Sequence, residues 1–367
     1  MNGPDAERVG VRHLRVLGDR PRPAGSPAES EARAYAASVL ASLGFDVREE
    51  GFAYSAFPGR YATPIAGGML GATICVAAAL GLGDHAIGAA VALVSGMATT
   101  GVFARWMLAT GVLSAPWLRR AGVNLVATRG GAEPRVWLVA HLDSKSQPVP
   151  SALRVAGVGL LALALSLSII AVALTLVGVP LRTIWWVALA AGLAGALPVM
   201  ASLVGARSNG AVDNASGVAA VLAAAAAMSR SSACGVLLPS AEELGLAGAR
   251  AWAGSRASGV ALNCDGVDDA GDLVIMYNRP APTAVIETVR AAVPAGVTVR
   301  VRRMPLGLLT DSTALADRGW RAVTVSHGSF ATLRRIHTPH DSLAALRGTR
   351  IDTVADILAR AAEALST

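Results

Sequence analysis

The chain has 367 residues, of which 53% are hydrophobic and only 16% charged, where a soluble domain carries about 25% charged residues. The formal charge of +7 comes almost wholly from arginine, Lys145 being the only lysine. No basic cluster is interleaved with aromatic residues, which excludes a nucleic-acid partner from the reading, and three cysteines (Cys75, Cys234, Cys264) match neither a zinc module nor a disulfide framework.

Residues 1–61 have the composition of a soluble segment. The polar start, MNGPDAERVGVRHLRVLGD, lacks the apolar stretch of a signal peptide. Ser26 to Leu43 has apolar residues at three-four spacing, which predicts a helix ended by Gly44; FDVREEGFAY then alternates like a strand. Four apolar runs follow in two pairs, at about 63–83, 86–104, 155–179 and 184–204. Each nears the roughly 20 residues that cross a bilayer, and none has the polar face of a buried core helix. Gly67, Gly71 and Gly157 would let such helices pack closely. Between the pairs, 117–150 reads as a β-hairpin: VNLVATR, a Gly-Gly-Ala-Glu-Pro turn, then VWLVAHLDS. After residue 205, short apolar strands (GVLLPS, GVALNCD, DLVIMY, AVTVS) alternate with helical stretches, the pattern of an α/β domain.

A helical hairpin returns the chain to the side it left. Segments 1–61, 117–150 and 206–367 therefore build one domain, interrupted by transmembrane hairpins at 62–116 and 151–205. The connectors at 83–85 and 180–183 hold a single arginine, Arg182, and no lysine, whereas the opposite flanks hold Arg60, Arg105, Arg119, Arg120, Lys145, Arg154 and Arg207. The apolar runs predict an integral, bacterial-type inner-membrane protein with the bilayer as its lipid partner, and the positive-inside rule places its interrupted soluble domain on the cytoplasmic side.

Five stretches hold ligand-type residues near strand ends or helix starts: His141 and Asp143 in VAHLDS, Asp213 and Asn214 in GAVDNASGVAAVL, Glu242 and Glu243 in LLPSAEELG, Asp265 in VALNCDG, and His337 and His340 in RRIHTPHDS. Each alone has an ordinary explanation. Asp213 is a helix cap, the Glu pair complements a helix dipole, Asp265 is a turn carboxylate with Asp268 and Asp269 as competitors, and the histidines are solvated loop residues. Their combination and order closely resemble the clan MH di-zinc aminopeptidases, relatives of the leucyl aminopeptidases and aminopeptidase Y, over roughly residues 10–60, 120–147 and 206–365.

The resemblance implies an α/β fold, a mixed central sheet flanked by helices, here interrupted by four transmembrane helices. It implies two zinc ions per chain: His141 and Asp265 on one, Glu243 and His337 on the other, Asp213 bridging, Asp143 orienting His141, and Glu242 as general base to a hydroxide shared by the ions. The expected function is hydrolysis of a peptide or other amide, most directly as an aminopeptidase. A glutaminyl-cyclase-like enzyme, which uses one zinc, and a non-catalytic membrane scaffold or transporter with a relic hydrolase domain stay open as alternatives, as does the oligomeric state. The sequence departs from the family at Val212, at Thr310-Asp311-Ser312 where relatives carry Ser-Asp-His, and at Ile336 where some carry an oxyanion-donating Tyr. The insertion just after a ligand strand points to a membrane-associated or apolar substrate.

Overall fold

The structure, a computed structural model, describes residues 8–130, 133–305 and 307–366. The first seven residues of the polar start, and Gly131 and Ala132 of the expected turn, lie outside the described residues. The chain divides into two compact units. One comprises Met1–Tyr54, Arg119–Ser146 and Ala206–Thr367; the other comprises Ser55–Leu118 and Gln147–Gly205.

The first unit is built on a mixed eight-stranded sheet. Its strands are β1 (Asp46–Ser55), β2 (Arg119–Arg129), β3 (Val136–Val139), β4 (Cys234–Leu238), β5 (Val260–Val267), β6 (Asp272–Tyr277), β7 (Val299–Arg303) and β8 (Arg321–Gly328), in the order β1-β2-β4-β3-β5-β8-β6-β7. β3 runs parallel to β4 and β5, and β5 parallel to β8, while β2–β4 and β6–β8 are antiparallel.

The expected hairpin of β2 and β3 does not form. β4 lies between them and pairs with both, Val236 standing opposite Ala127 on one side and Leu138 on the other. The physical reason is in the strand itself: all four residues of Val-Trp-Leu-Val are buried, and a strand apolar on both faces belongs at the centre of a covered sheet, not at a half-solvated hairpin.

The strand period of two divides β3 between two cores. Val136 and Leu138 join Leu14, Leu40, Leu222, Ile357 and Leu358 beneath helices Val9–Leu17, Pro27–Ser42, Gly217–Ala227 and Ile351–Ser366. Trp137 and Val139 join Trp252, Leu315 and Trp320 on the opposite face. Helix Pro27–Ser42 starts where capping chemistry dictates: Ser26 Oγ accepts the Glu29 amide at 3.2 Å and Pro27 occupies the first turn.

The second unit holds helices Ala56–Leu82, Ala86–Ser114, Ser151–Leu176 and Arg182–Met200, each long and apolar enough to cross a membrane. Large apolar side chains point outward from them, Ile87 at 73% and Val102 at 71% exposed. Small residues set the contacts between them. A Cβ on Gly71 would meet Ala196 Cβ at 2.7 Å, and one on Gly157 would meet the Gly195 carbonyl oxygen at 2.8 Å. Arg182 pairs with Asp84 at 3.0 Å, so the two connectors at 83–85 and 180–183 lie together.

Candidate metal centre

The ends of β3, β4 and β5 and the loops around Asp213 and His337 bring the expected residues to one place. His141 is 1% exposed and follows β3. Its Nδ1 is 3.0 Å from the Asp143 carbonyl oxygen, which takes the ring proton and turns Nε2 toward the carboxylates. Nε2 is 3.2 Å from Asp213 Oδ1, 3.8 Å from Asp265 Oδ1 and 3.9 Å from Glu242 Oε2. On the other side of Asp213, Oδ2 is 2.9 Å from His337 Nε2, which is 3.4 Å from Glu243 Oε1. The Asp213 carboxylate thus lies between the two imidazoles. Two groups result, His141/Glu242/Asp265 and Asp213/Glu243/His337, and within each the donor atoms lie within 4.8 Å of one another.

The Asp143 carboxylate does something the sequence does not announce. It lies 3.7 Å from His141 Nδ1, while Oδ1 accepts the Glu242 amide at 3.0 Å and Oδ2 the Glu243 amide at 3.2 Å. Asp143 therefore holds the tight turn Glu242–Leu244, which follows Ala241 at φ 56°, and orients His141 through its main chain.

The Asp213 loop is gripped from both sides. Asp341 Oδ1 accepts the Val212 amide at 2.7 Å and Oδ2 the Asp213 amide at 3.2 Å. Arg22, 2% exposed, donates to the carbonyls of Asn209 and Gly210 at 2.8 and 3.1 Å and to Leu142 at 3.0 Å, beside the His141 strand. Asn214 then ties this loop to β5: Oδ1 accepts the Gly266 amide at 3.1 Å and Nδ2 donates to the Cys264 carbonyl at 2.9 Å.

The electrostatics are those of carboxylates packed out of water. Burial pushes Glu242 well above the usual carboxylate range and raises Asp265, and it pushes Asp311 up to about 8. Burial also raises Glu243, but the Lys145 ammonium overrides it and draws the group down to about 2. Asp213 is likewise held well below its ordinary value, against desolvation, by His141 and His337.

Such a concentration of buried acid calls for cations. Glu243 Oε1 and both Asp311 oxygens are buried without a hydrogen-bond partner. Imidazole nitrogens and carboxylate oxygens converging on one point are the donor set zinc takes, so the residues present fit the metal.

His340 is exposed and belongs to neither group. Asp268 and Asp269 serve the scaffold: Asp268 pairs with Arg335 at 2.6 Å, and Asp269 accepts the amides of Arg347 and Thr349. Lys145, Arg22, Asp311 and Asp341 join the site beyond the expected set. Lys145 stood out as the only lysine, two residues past Asp143, and Asp341 closes the His-Thr-x-x-Asp motif. Nothing in the local sequence distinguishes Arg22 from the many other arginines.

The model for "Peptidase family M28" matches residues 124–362, more than half of the chain. No curated protein matches it in a sequence search. Among solved structures, the aminopeptidase from Aneurinibacillus sp. strain AM-1 superposes with a TM-score of 0.56 at 16% identity, over 97% of this chain and 93% of that one. A zinc aminopeptidase from Bacillus subtilis gives 0.55 at 16% identity, over 96% and 93%. A glutaminyl cyclase from Fimbriiglobus ruber gives 0.56 at 15% identity, over 99% and 96%. At these identities the likeness is one of fold.

Proposed function

The chain belongs to peptidase family M28, and on that premise we propose that it is a membrane-embedded aminopeptidase with two zinc ions per chain. The observation that carries the proposal is the Asp213 carboxylate between two imidazoles, 3.2 Å from His141 and 2.9 Å from His337, with His141, Glu242 and Asp265 gathered on one side and Glu243 and His337 grouped with Asp213 on the other. A second donor group favours two metals over one. The four long apolar helices support the membrane assignment.

His141 and Asp265 would hold one zinc, Glu243 and His337 the other, and Asp213 both. Bound zinc supplies Lewis acidity toward the scissile carbonyl and lowers the pKa of water. Glu242 is the residue with no ligand duty in this assignment. Its carboxylate is therefore free to take a proton from the attacking water and return it to the departing amine. Asp143 keeps Glu242 in place through its amide. Asp341 and Arg22 hold the Asp213 loop, so the carboxylates meet their cations without reorganising.

The test is metal content and hydrolysis of a panel of aminoacyl-p-nitroanilides, wild type against Glu242→Ala. We expect about two zinc ions in both proteins and cleavage by wild type alone, with a loss of at least 100-fold in the variant. Two zinc ions without cleavage of any panel member would remove the aminopeptidase reading. A protein without zinc would remove the enzyme.

A further inference from the structure

The two halves of the site are not equivalent, because one of them carries a cation of the protein's own. Lys145 Nζ is 2.5 Å from Glu243 Oε2, and both side chains are withdrawn from solvent, at 15% and 4% exposure. The other oxygen of the same carboxylate, Oε1, faces His337 Nε2 at 3.4 Å and accepts no hydrogen bond. The lysine lies two residues beyond Asp143, whose carboxylate accepts the backbone amide of Glu243 at 3.2 Å. Glu243 is thus held at its amide by one side chain and at one carboxylate oxygen by another.

From this geometry we propose that Lys145 is a positioning residue that makes the Asp213/Glu243/His337 half the weaker and more exchangeable of the two metal sites. The inference rests on the two-metal reading above. By occupying Oε2, the ammonium leaves Oε1 as the oxygen offered to a metal, so Glu243 binds through one atom. By its charge, it opposes the arrival of a divalent ion on the carboxylate it shares. Ammonium is a compact point charge, and burial leaves its repulsion poorly screened. That repulsion exceeds the ordering benefit of fixing one Glu side chain, which is a small entropic gain. The half with Lys145 therefore loads second and empties first, and occupancy of the complete site follows zinc supply without any change in the protonation of Lys145.

The experiment is zinc titration of the full chain in detergent, stripped with EDTA and competed against a colorimetric chelator. Wild type, Lys145→Met and Lys145→Arg are compared, with helix content checked by circular dichroism. Lys145→Gln replaces the Met variant if that protein does not fold. Wild type is expected to bind two ions with constants at least ten-fold apart. His337→Ala should abolish the weaker step and so identify it. Lys145→Met should tighten that step ten-fold or more and leave the tighter one unchanged, whereas Lys145→Arg should keep the wild-type separation. A weaker constant that stays put or loosens in Lys145→Met overturns the inference, as do two equal constants in wild type. Uptake of no more than one zinc by every protein overturns the two-metal reading itself, and this inference with it.

Discussion

At the scale of single residues, the catalytic unit is organised by buried carboxyl groups whose work is to hold backbone. Asp341 is fully buried and accepts two amides of the Asp213 loop. Truncation to Ala strands both donors, at about 1–3 kcal/mol each. Asp341→Ala should therefore lower the unfolding midpoint and loosen zinc, and Asp341→Asn should recover only part of each, since its amide group can accept at one position, not two. Thermal melts of the zinc-loaded proteins check this; equal melting of Asp341→Ala and wild type would refute it. Glu29 is the pH-sensitive member of the set. It is 1% exposed, accepts the Gly25 amide through Oε2 at 2.7 Å, and leaves Oε1 without a partner. Burial raises it from 4.5 to about 7. The folded state then binds a proton that the unfolded state releases between these values, so this contribution is whole below about pH 4.5 and is lost as pH rises through 7. Glu29→Gln should match wild type at pH 4.5 and exceed it at pH 8 by up to about 3 kcal/mol, read as the difference in unfolding midpoint at the two pH values.

At the scale of elements, legibility depended on whether a segment's partners could be inferred from its own residues. Helix Pro27–Ser42 was readable because its cap, first-turn proline and three-four spacing are local. The apolar helices were readable because length and composition suffice. β3 was readable as a strand but not in its pairing. Its flat apolar run fits any covered sheet, and the partner that separates it from β2 arrives almost a hundred residues later, as β4. β7, Val-Arg-Val-Arg-Arg, went unread because it is an edge strand, mostly exposed and paired on one side only, and its arginines serve solubility at an edge. The site behaves the same way: acids and histidines in ordered motifs were legible, while Arg22, which acts through backbone carbonyls of distant loops, was not. The apolar helices offer a controlled test of packing. A Cβ on Gly195 would lie 2.7 Å from the Gly157 carbonyl oxygen, whereas one on Gly159 meets nothing within 4 Å. Both sit in helices, so the gain of about 1 kcal/mol from Gly to Ala applies to each. Gly159→Ala should be neutral or stabilising in detergent, and Gly195→Ala should destabilise by about 1–3 kcal/mol from overpacking. Equal midpoints would mean that the close approach of these helices contributes little.

At the scale of the whole molecule, the sheet unit is assembled from three stretches of chain, and two of its joints pass through the apolar unit. If the four apolar helices cross a bilayer, two crossings in each insertion return the chain to the side it left, and the two short connectors would share the other side. Their side chains agree: Arg182 of one pairs with Asp84 of the other at 3.0 Å. This neutralises the one arginine the connectors carry, while the arginines at the other helix ends would, by the positive-inside rule, mark a cytoplasmic face. We therefore expect a cytoplasmic sheet unit. In a background with Cys75, Cys234 and Cys264 changed to Ser, a membrane-impermeant maleimide added to intact cells should label Gly83→Cys and leave Ser366→Cys untouched until the membrane is opened. The converse pattern would turn the molecule over and put peptide hydrolysis outside the cell. Labelling of both sites in intact cells would break the paired-hairpin topology itself. In that case, at least one of the four helices does not cross the membrane, and the three stretches of the sheet unit meet by another route.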